Sequence, residues 1–320
     1  MYQTAIKKFS RYVVRKSAFF LPEKRQIEIE RRHRGREQVS KLREADCTIV
    51  SHGKSGRTWL RVMWSRVYQA RYDLPQGQLI SFDNFNKKNP AIPKIFFTHD
   101  NYIGDYTGND KTKADFRDRR VIFLARHPAD ITVSQYFQWK YRMRPDKKGL
   151  LYYPPHGQDV SVSEFMMNPD WGLQRVIGFM NTWAENIPSI HDFLLIRYED
   201  LKKDPAMVLR GALEFAGTPA TDSEIADAVE FGSFENMKKM EETSSFWLSG
   251  GRMKPKDKSN PSSFKVRRAK VGGFVDYFND EEAEEIARIV DESLAPLFGY
   301  GRDRSPSGAP LSYPSSNDAD

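Results

Sequence analysis

Cys47-Thr48-Ile49-Val50, followed by Lys54-Ser55-Gly56-Arg57-Thr58-Trp59, decides how this chain folds. Four apolar or β-branched residues lead into a turn. After it Trp59, Leu60, Val62, Met63, Trp64 and Val67 recur at one-, three- and four-residue spacings. The pattern predicts a strand, a tight turn and a helix that opens at Gly56 and packs against a sheet. Such a turn points free N–H groups and the positive end of a helix at one place, and Lys54 adds a full charge there. That place wants a phosphate.

Working outward, residues 94–98 read as a second short strand that ends at His99-Asp100. Residues 121–125 form a third, followed by Arg126-His127-Pro128 and a helix from about 129 to 141, with Pro128 in its first turn. Residues 193–196 form a fourth, ending at Tyr198-Glu199-Asp200. Helices are expected over 171–186, over 205–215 with Asp204 as cap, over 222–230 and over 280–294. The Pro-, Gly-, Tyr- and Lys-rich segment 142–168 reads as an insertion or lid, and 240–263 as a mobile loop. Short strands alternating with helices predict an α/β fold, a three-layer α/β/α arrangement with a mainly parallel, P-loop-like central sheet. Ligands of such sheets bind at the carboxyl ends of strands, where Lys54, His99, Arg126 and Tyr198 all fall.

The 320 residues are 39% hydrophobic and 29% charged, as in ordinary soluble proteins, and suffice for a large core. The lone Cys47 excludes an internal disulfide framework and suits a reducing compartment. No stretch approaches the roughly 20 apolar residues of a membrane span, and no compact apolar leader opens the chain, so a cytoplasmic protein is expected. Residues 1–46 carry 13 Lys and Arg against 6 Asp and Glu, whereas the remainder is balanced at 37 of each. Tyr2, Ile6, Phe9, Val13 and Phe20 share a helical face, with Lys7, Lys8, Arg11 and Arg15 largely opposite. This reads as a basic amphipathic arm for an anionic membrane surface at the inner face, or as a helix packed on its own domain. Nucleic acid is not an expected partner, because no reading module follows. The expected division is an arm over 1–46, one domain over 47–301 and an unstructured tail over 302–320.

Gly53-Lys54-Ser55 suggests a nucleoside-triphosphate P-loop, but Thr48 stands where that loop needs a glycine, and no Asp ends a neighbouring strand in an obvious metal-holding place. Four ordered motifs resemble instead the sulfotransferases that use 3′-phosphoadenosine-5′-phosphosulfate (PAPS). They are Lys54-Ser55-Gly56-Arg57-Thr58-Trp59, Arg126-His127-Pro128-Ala129-Asp130-Ile131-Thr132-Val133-Ser134, Tyr198-Glu199-Asp200-Leu201, and Arg267-Arg268-Ala269-Lys270-Val271-Gly272-Gly273-Phe274.

The resemblance implies sulfo transfer from PAPS, without a metal, to a hydroxyl or amine. In it, Lys54, Ser55, Gly56, Arg57, Thr58 and Trp59 take the phosphosulfate end; Arg126, Ser134, Arg267 and Arg268 take the 3′-phosphate; and Trp59, Phe234 and Tyr198 hold adenine. His99 is the implied base, Lys54 the group facing the leaving phosphate, and Ser134 a restraint on Lys54. His52 and His127 read as structural. Arg57 departs from the usual Thr, Phe97 from a Lys, Arg268 from a Lys, Ala269 from a Gly and Phe274 from a Trp.

The acceptor site is expected among 82–89, 102–106, 142–168 and 240–263. There Tyr102, Tyr106, Tyr152, Tyr153 and Trp247 suit rings, while Lys140, Arg142, Arg144, Lys147 and Lys148 suit acids. A small molecule, carbohydrate or glycolipid fits this mixture. The competing readings are an ATP-dependent small-molecule kinase of P-loop type and a membrane-surface protein with a vestigial nucleotide site.

Overall fold

The computed structural model describes residues 19–249 and 253–301. Strands β1 (Cys47–Val50), β2 (Ile95–Thr98), β3 (Arg120–Ala125) and β4 (Asp192–Arg197) form one parallel sheet in the order β2-β1-β3-β4. Val50 pairs with Thr98 on one side and Phe123 on the other, so β1, β2 and β3 deliver their following loops to one edge. β1 has its expected limits, and the other strands end within one residue of theirs.

The longer helices are α1 (Glu23–Glu44), α2 (Arg57–Arg71), α3 (Pro128–Tyr141), α4 (Leu173–Asn186), α5 (Pro205–Phe215), α6 (Asp222–Phe231), α7 (Phe234–Glu242) and α8 (Asp280–Ser293). Ile49, Ile122 and Leu124 face α2, α5 and α6 through Leu60, Trp64, Leu209 and Ile225. Val50, Val121 and Phe123 face α1, α3, α4 and α8 through Leu42, Ile131, Trp183 and Val290. The strands are apolar on both faces because both faces are covered, which is the expected three-layer arrangement.

Three segments differ from the expectations. Glu23–Glu44, inside the expected arm, is a helix of the domain: Val39 and Leu42 are buried, and Gly35 lies so close to the Tyr102 carbonyl that a Cβ would not fit. Tyr2, Ile6, Phe9 and Val13 fall outside the described residues, as does the tail 302–320. The expected mobile loop begins inside α7, whose N-terminus Ser233 caps, and Phe246 and Met253 bury themselves against Val62, Leu79 and Met237. The expected lid holds two short helices, Pro145–Leu150 and Val162–Met167, and its Leu150, Tyr153 and Phe165 pack on Trp139.

Candidate active site

One cavity of about 1140 Å³ opens at the carboxyl edge of the sheet. It is lined from the loop after β1 (Lys54, Gly56, Arg57, Thr58, Trp59), the end of β2 (His99), the β3–α3 segment (Arg126, Ser134), the end of β4 (Tyr198), α7 (Phe234) and the C-terminal motif (Arg267, Arg268). Residues separated by more than 200 positions in sequence therefore meet at one place.

The loop after β1 turns through two left-handed residues, Lys54 (φ 78°) and Gly56 (φ 89°). At Gly56 a side chain is excluded twice, because an added Cβ would also lie 2.5 Å from Cδ2 of Tyr198. Ser55 is the loop residue that does not line the cavity. It is buried, and its hydroxyl donates to the His52 carbonyl at 3.1 Å, closing the turn rather than facing a ligand. Trp59 donates its indole N–H to the Gly232 carbonyl at 2.7 Å and meets Tyr198 edge to face at 6.0 Å, so the two rings are held as a wall.

Lys54 has its pKa lowered to about 7, first by loss of hydration and then by Arg142, Arg267 and Arg126. Arg126 donates to the carbonyls of Lys54 and Lys270, both at 3.2 Å, and lies over the Tyr198 ring at 4.4 Å. Its buried Nε has no hydrogen-bond partner in the protein. Arg267 stacks on Phe137 at 3.7 Å, and Arg268 pairs with Asp276, which Lys270 also reaches at 2.8 Å. Ala269 keeps a left-handed φ of 48°, so its chain takes the turn a glycine would take freely.

His99 holds Nδ1 2.8 Å from the Ser51 carbonyl and Nε2 2.7 Å from the Arg57 guanidinium. A carbonyl only accepts, so Nδ1 carries the hydrogen and Nε2 offers its lone pair. Burial, followed by Arg57, holds the imidazole pKa well below its ordinary value, so it is neutral at pH 7. His52 and His127 are also kept neutral by burial, each with a pKa of about 4. His52 lines the cavity and binds the Gly53 carbonyl, and His127 stacks on Phe274 at 5.2 Å.

Two carboxylates, Asp130 within the second motif and Glu241 outside all four, organise the cationic residues. Asp130 accepts from the amides of Gly272 and Phe274 at 2.9 and 3.0 Å, tying α3 to the C-terminal motif. Glu241, fully buried, accepts from Arg142 at 3.1 Å and from the amides of Lys265 and Val266, just before Arg267. The only sequence signal for Glu241 is a charge on the inner face of a helix.

Of the expected acceptor residues, Arg142, Arg144, Lys147 and Tyr153 line the cavity. Trp247 does not: it is 72% exposed and stands over Gly77. Lys140 is drawn to Asp159, Lys148 lies under Trp139, and Tyr102 is buried beneath Arg31. Residues 82–89 lie outside the cavity wall, with Phe85 in the core.

A parallel sheet whose carboxyl edge brings a tight glycine turn, a set of arginines and a neutral imidazole into one cavity has the form of a group-transfer enzyme. The sulfotransferase domain pattern matches residues 44–298. The chain belongs to the sulfotransferase family, and it is an enzyme that transfers a sulfo group. Flavonol 3-sulfotransferase of Flaveria bidentis is 25% identical over 281 residues, which cover 81% of this chain and 84% of that protein. Cytosolic sulfotransferase 14 of Arabidopsis thaliana is 24% identical, over 78% of this chain and 75% of its own. Among solved structures, a mouse sulfotransferase complexed with PAP shares the fold at TM-score 0.52 and 21% identity, covering 80% of this chain and 89% of its own. Retinol dehydratase with retinol and PAP does so at TM-score 0.53 and 16% identity, covering 81% and 83%. Family membership overturns the kinase reading. Among the described residues no helix is long and apolar enough to cross a membrane, and no group of three metal-ligating side chains occurs.

Proposed function

We propose that this enzyme moves a sulfo group from PAPS to a hydroxyl of a small-molecule acceptor, using His99 as base and Lys54 at the leaving phosphate. The observation that carries this reading is the imidazole itself: neutral, with its tautomer fixed by the Ser51 carbonyl, in the same cavity as Lys54. PAPS is anionic at both ends, and the residues fit it in kind. Gly56 makes the left-handed turn at the cavity wall, and Arg126 keeps an unpartnered Nε there.

Lys54 with the amides of Gly56, Arg57 and Thr58 serves the phosphosulfate, and Ser55 serves by shaping the turn. Arg126, Ser134, Arg267 and Arg268 serve the 3′-phosphate, and Trp59, Phe234 and Tyr198 the adenine. During transfer His99 accepts the acceptor proton at Nε2 while the new O–S bond forms. Lys54, protonated, offsets the charge left on the departing phosphate oxygen. Ser134 restrains Lys54 until an acceptor arrives.

Small-molecule acceptors are favoured over glycans because the relatives' names speak of flavonols, and one solved neighbour holds retinol. The cytoplasm is the proposed setting, with one relative named as cytosolic. Contact with an anionic membrane remains part of the proposal for residues 1–20. Phe19 and Phe20, 75% and 72% exposed, adjoin the basic N-terminal stretch.

Calorimetry with PAP and with ATP, each with and without magnesium, tests the nucleotide. Tighter binding of PAP, indifferent to magnesium, is expected, and magnesium-dependent preference for ATP would refute the reading. Transfer of labelled sulfo group from PAPS to a panel of hydroxyl compounds then tests the reaction.

A further inference from the structure

The imidazole that serves as base is not open to a substrate as it stands. Its Nδ1 is committed to Ser51, and its Nε2 lone pair receives the Arg57 guanidinium at 2.7 Å. Arg57 is braced in that position by a second bond to the Thr98 carbonyl. A single lone pair accepts one good hydrogen bond, so an acceptor hydroxyl reaches Nε2 only when Arg57 turns away.

What the acceptor must supply follows from the surrounding charge. On this side of the cavity the wall carries Arg57, Arg144, Lys147 and Arg175. Two of the carboxylates there are already matched, Asp100 by Lys113 and Asp105 by Arg31, each at 2.8 Å, which leaves Asp110 against the four cations. Arg175 spends its bonds on the carbonyls of Leu151 and Asp170, and Arg144 is 3.6 Å from an exposed Asp146. Loss of hydration, followed by repulsion from Arg34, Arg144 and Arg57, lowers the pKa of Lys147.

Building on the sulfotransferase reading, we infer that the acceptor carries an anionic group, such as a carboxylate or sulfate, besides its reacting hydroxyl, and that Arg57 swings to bind this group and thereby releases Nε2 of His99. A guanidinium grips an oxyanion through two parallel N–H···O bonds, which are stronger than one bond to a neutral imidazole. The anion draws Arg57 across, and the hydroxyl takes the vacated place. A neutral acceptor must break the Arg57–His99 bond with nothing in exchange. Arg57 is thus a specificity-determining residue as well as a member of the loop.

The test uses the full chain saturated with PAP and three phenols of similar size: 4-ethylphenol, tyramine and 4-hydroxyphenylacetate. PAP binding is measured first by calorimetry, and its failure would count against the sulfotransferase assignment alone. Affinity of each phenol for the PAP complex, and kcat/KM with PAPS, are then compared. The expected result is a preference of about tenfold or more for 4-hydroxyphenylacetate over 4-ethylphenol, with tyramine weakest. That preference falls to near unity in Arg57→Thr and is largely kept in Arg57→Lys. If Arg57→Thr fails to bind PAP, Arg57→Gln takes its place in the comparison. Equal or better binding of 4-ethylphenol by the unaltered enzyme overturns the inference. So does a preference that survives loss of the Arg57 charge, or an equal loss for all three phenols, since either outcome would assign Arg57 to the fold or to PAPS.

Discussion

At the scale of single residues, the two groups proposed for chemistry are both held away from their ordinary ionisation. Lys54→Ala and His99→Ala should separate cleanly. His99→Ala is expected to cut kcat by about 10²- to 10⁴-fold while leaving PAP affinity nearly intact. Lys54→Ala should lower kcat and weaken PAP together, and calorimetry beside steady-state rates distinguishes the two patterns. The lysine also makes a pH prediction. With a pKa of about 7 in the ligand-free protein, Lys54 is largely neutral above that pH, whereas an anion favours its charged form. Binding of PAP must then take up a proton above pH 7, so affinity falls as pH rises from 7 to 9. The measured enthalpy should follow the ionisation heat of the buffer. In Lys54→Met both effects should disappear; affinity rising with pH in the unaltered protein would mean that another group governs the site.

At the scale of elements, the parts legible in the sequence are those written in local pattern. The strands β1 and β3 were visible as unbroken apolar runs, and the helix after Gly56 as a periodic apolar face. The expected cavity residues converge because each lies just beyond a strand end, or on a motif docked there. What the sequence hid depends on pairing across distance. Nothing local tells that Arg57 reaches His99, 42 positions away, or that Ser55 turns its hydroxyl to the chain behind it. The expected mobile loop read as loop because its anchors, Phe246 and Met253, are single apolar residues in a polar stretch. Its order rests on Glu241, whose carboxylate satisfies Arg142 and two backbone amides at once. Removing that charge leaves two amides without a partner and deprives Arg142 of its carboxylate, leaving it only the carbonyls of Ser263 and Lys254. Glu241→Ala is expected to cost about 3 kcal/mol in urea unfolding and to weaken PAP through Arg267. An unfolding midpoint equal to that of the parent would show that the 265–267 segment is held by other contacts.

At the scale of the whole molecule, the unit that folds is larger than the region of family likeness. The family pattern spans 44–298 and omits α1, yet α1 buries Val39 and Leu42 in the same core as β1 and β3. It also braces the loop beyond His99. Arg31 donates to the carbonyls of Asn101 and Leu150 at 2.8 and 2.9 Å and pairs with Asp105, while the Thr98 hydroxyl donates to Gln38. At the other end Tyr300 donates to Glu199 at 2.6 Å, and Glu199 accepts from the amide of His127 beside Arg126. Losing two buried aliphatic side chains alone removes about 3–6 kcal/mol, a large share of the roughly 5–15 kcal/mol that holds a domain together. A chain trimmed to 44–298 is therefore expected to lose cooperative urea unfolding and PAP binding. The membrane proposal must accordingly be tested by charge, not by cutting deep into the N-terminus. Replacing Lys7, Lys8, Arg11 and Arg15 with Gln should leave the unfolding midpoint unchanged and abolish salt-sensitive binding to anionic vesicles. If the trimmed chain still unfolds in one steep transition and binds PAP, α1 is an accessory to the fold; if the Gln variant still binds vesicles, the N-terminal charge serves some other purpose.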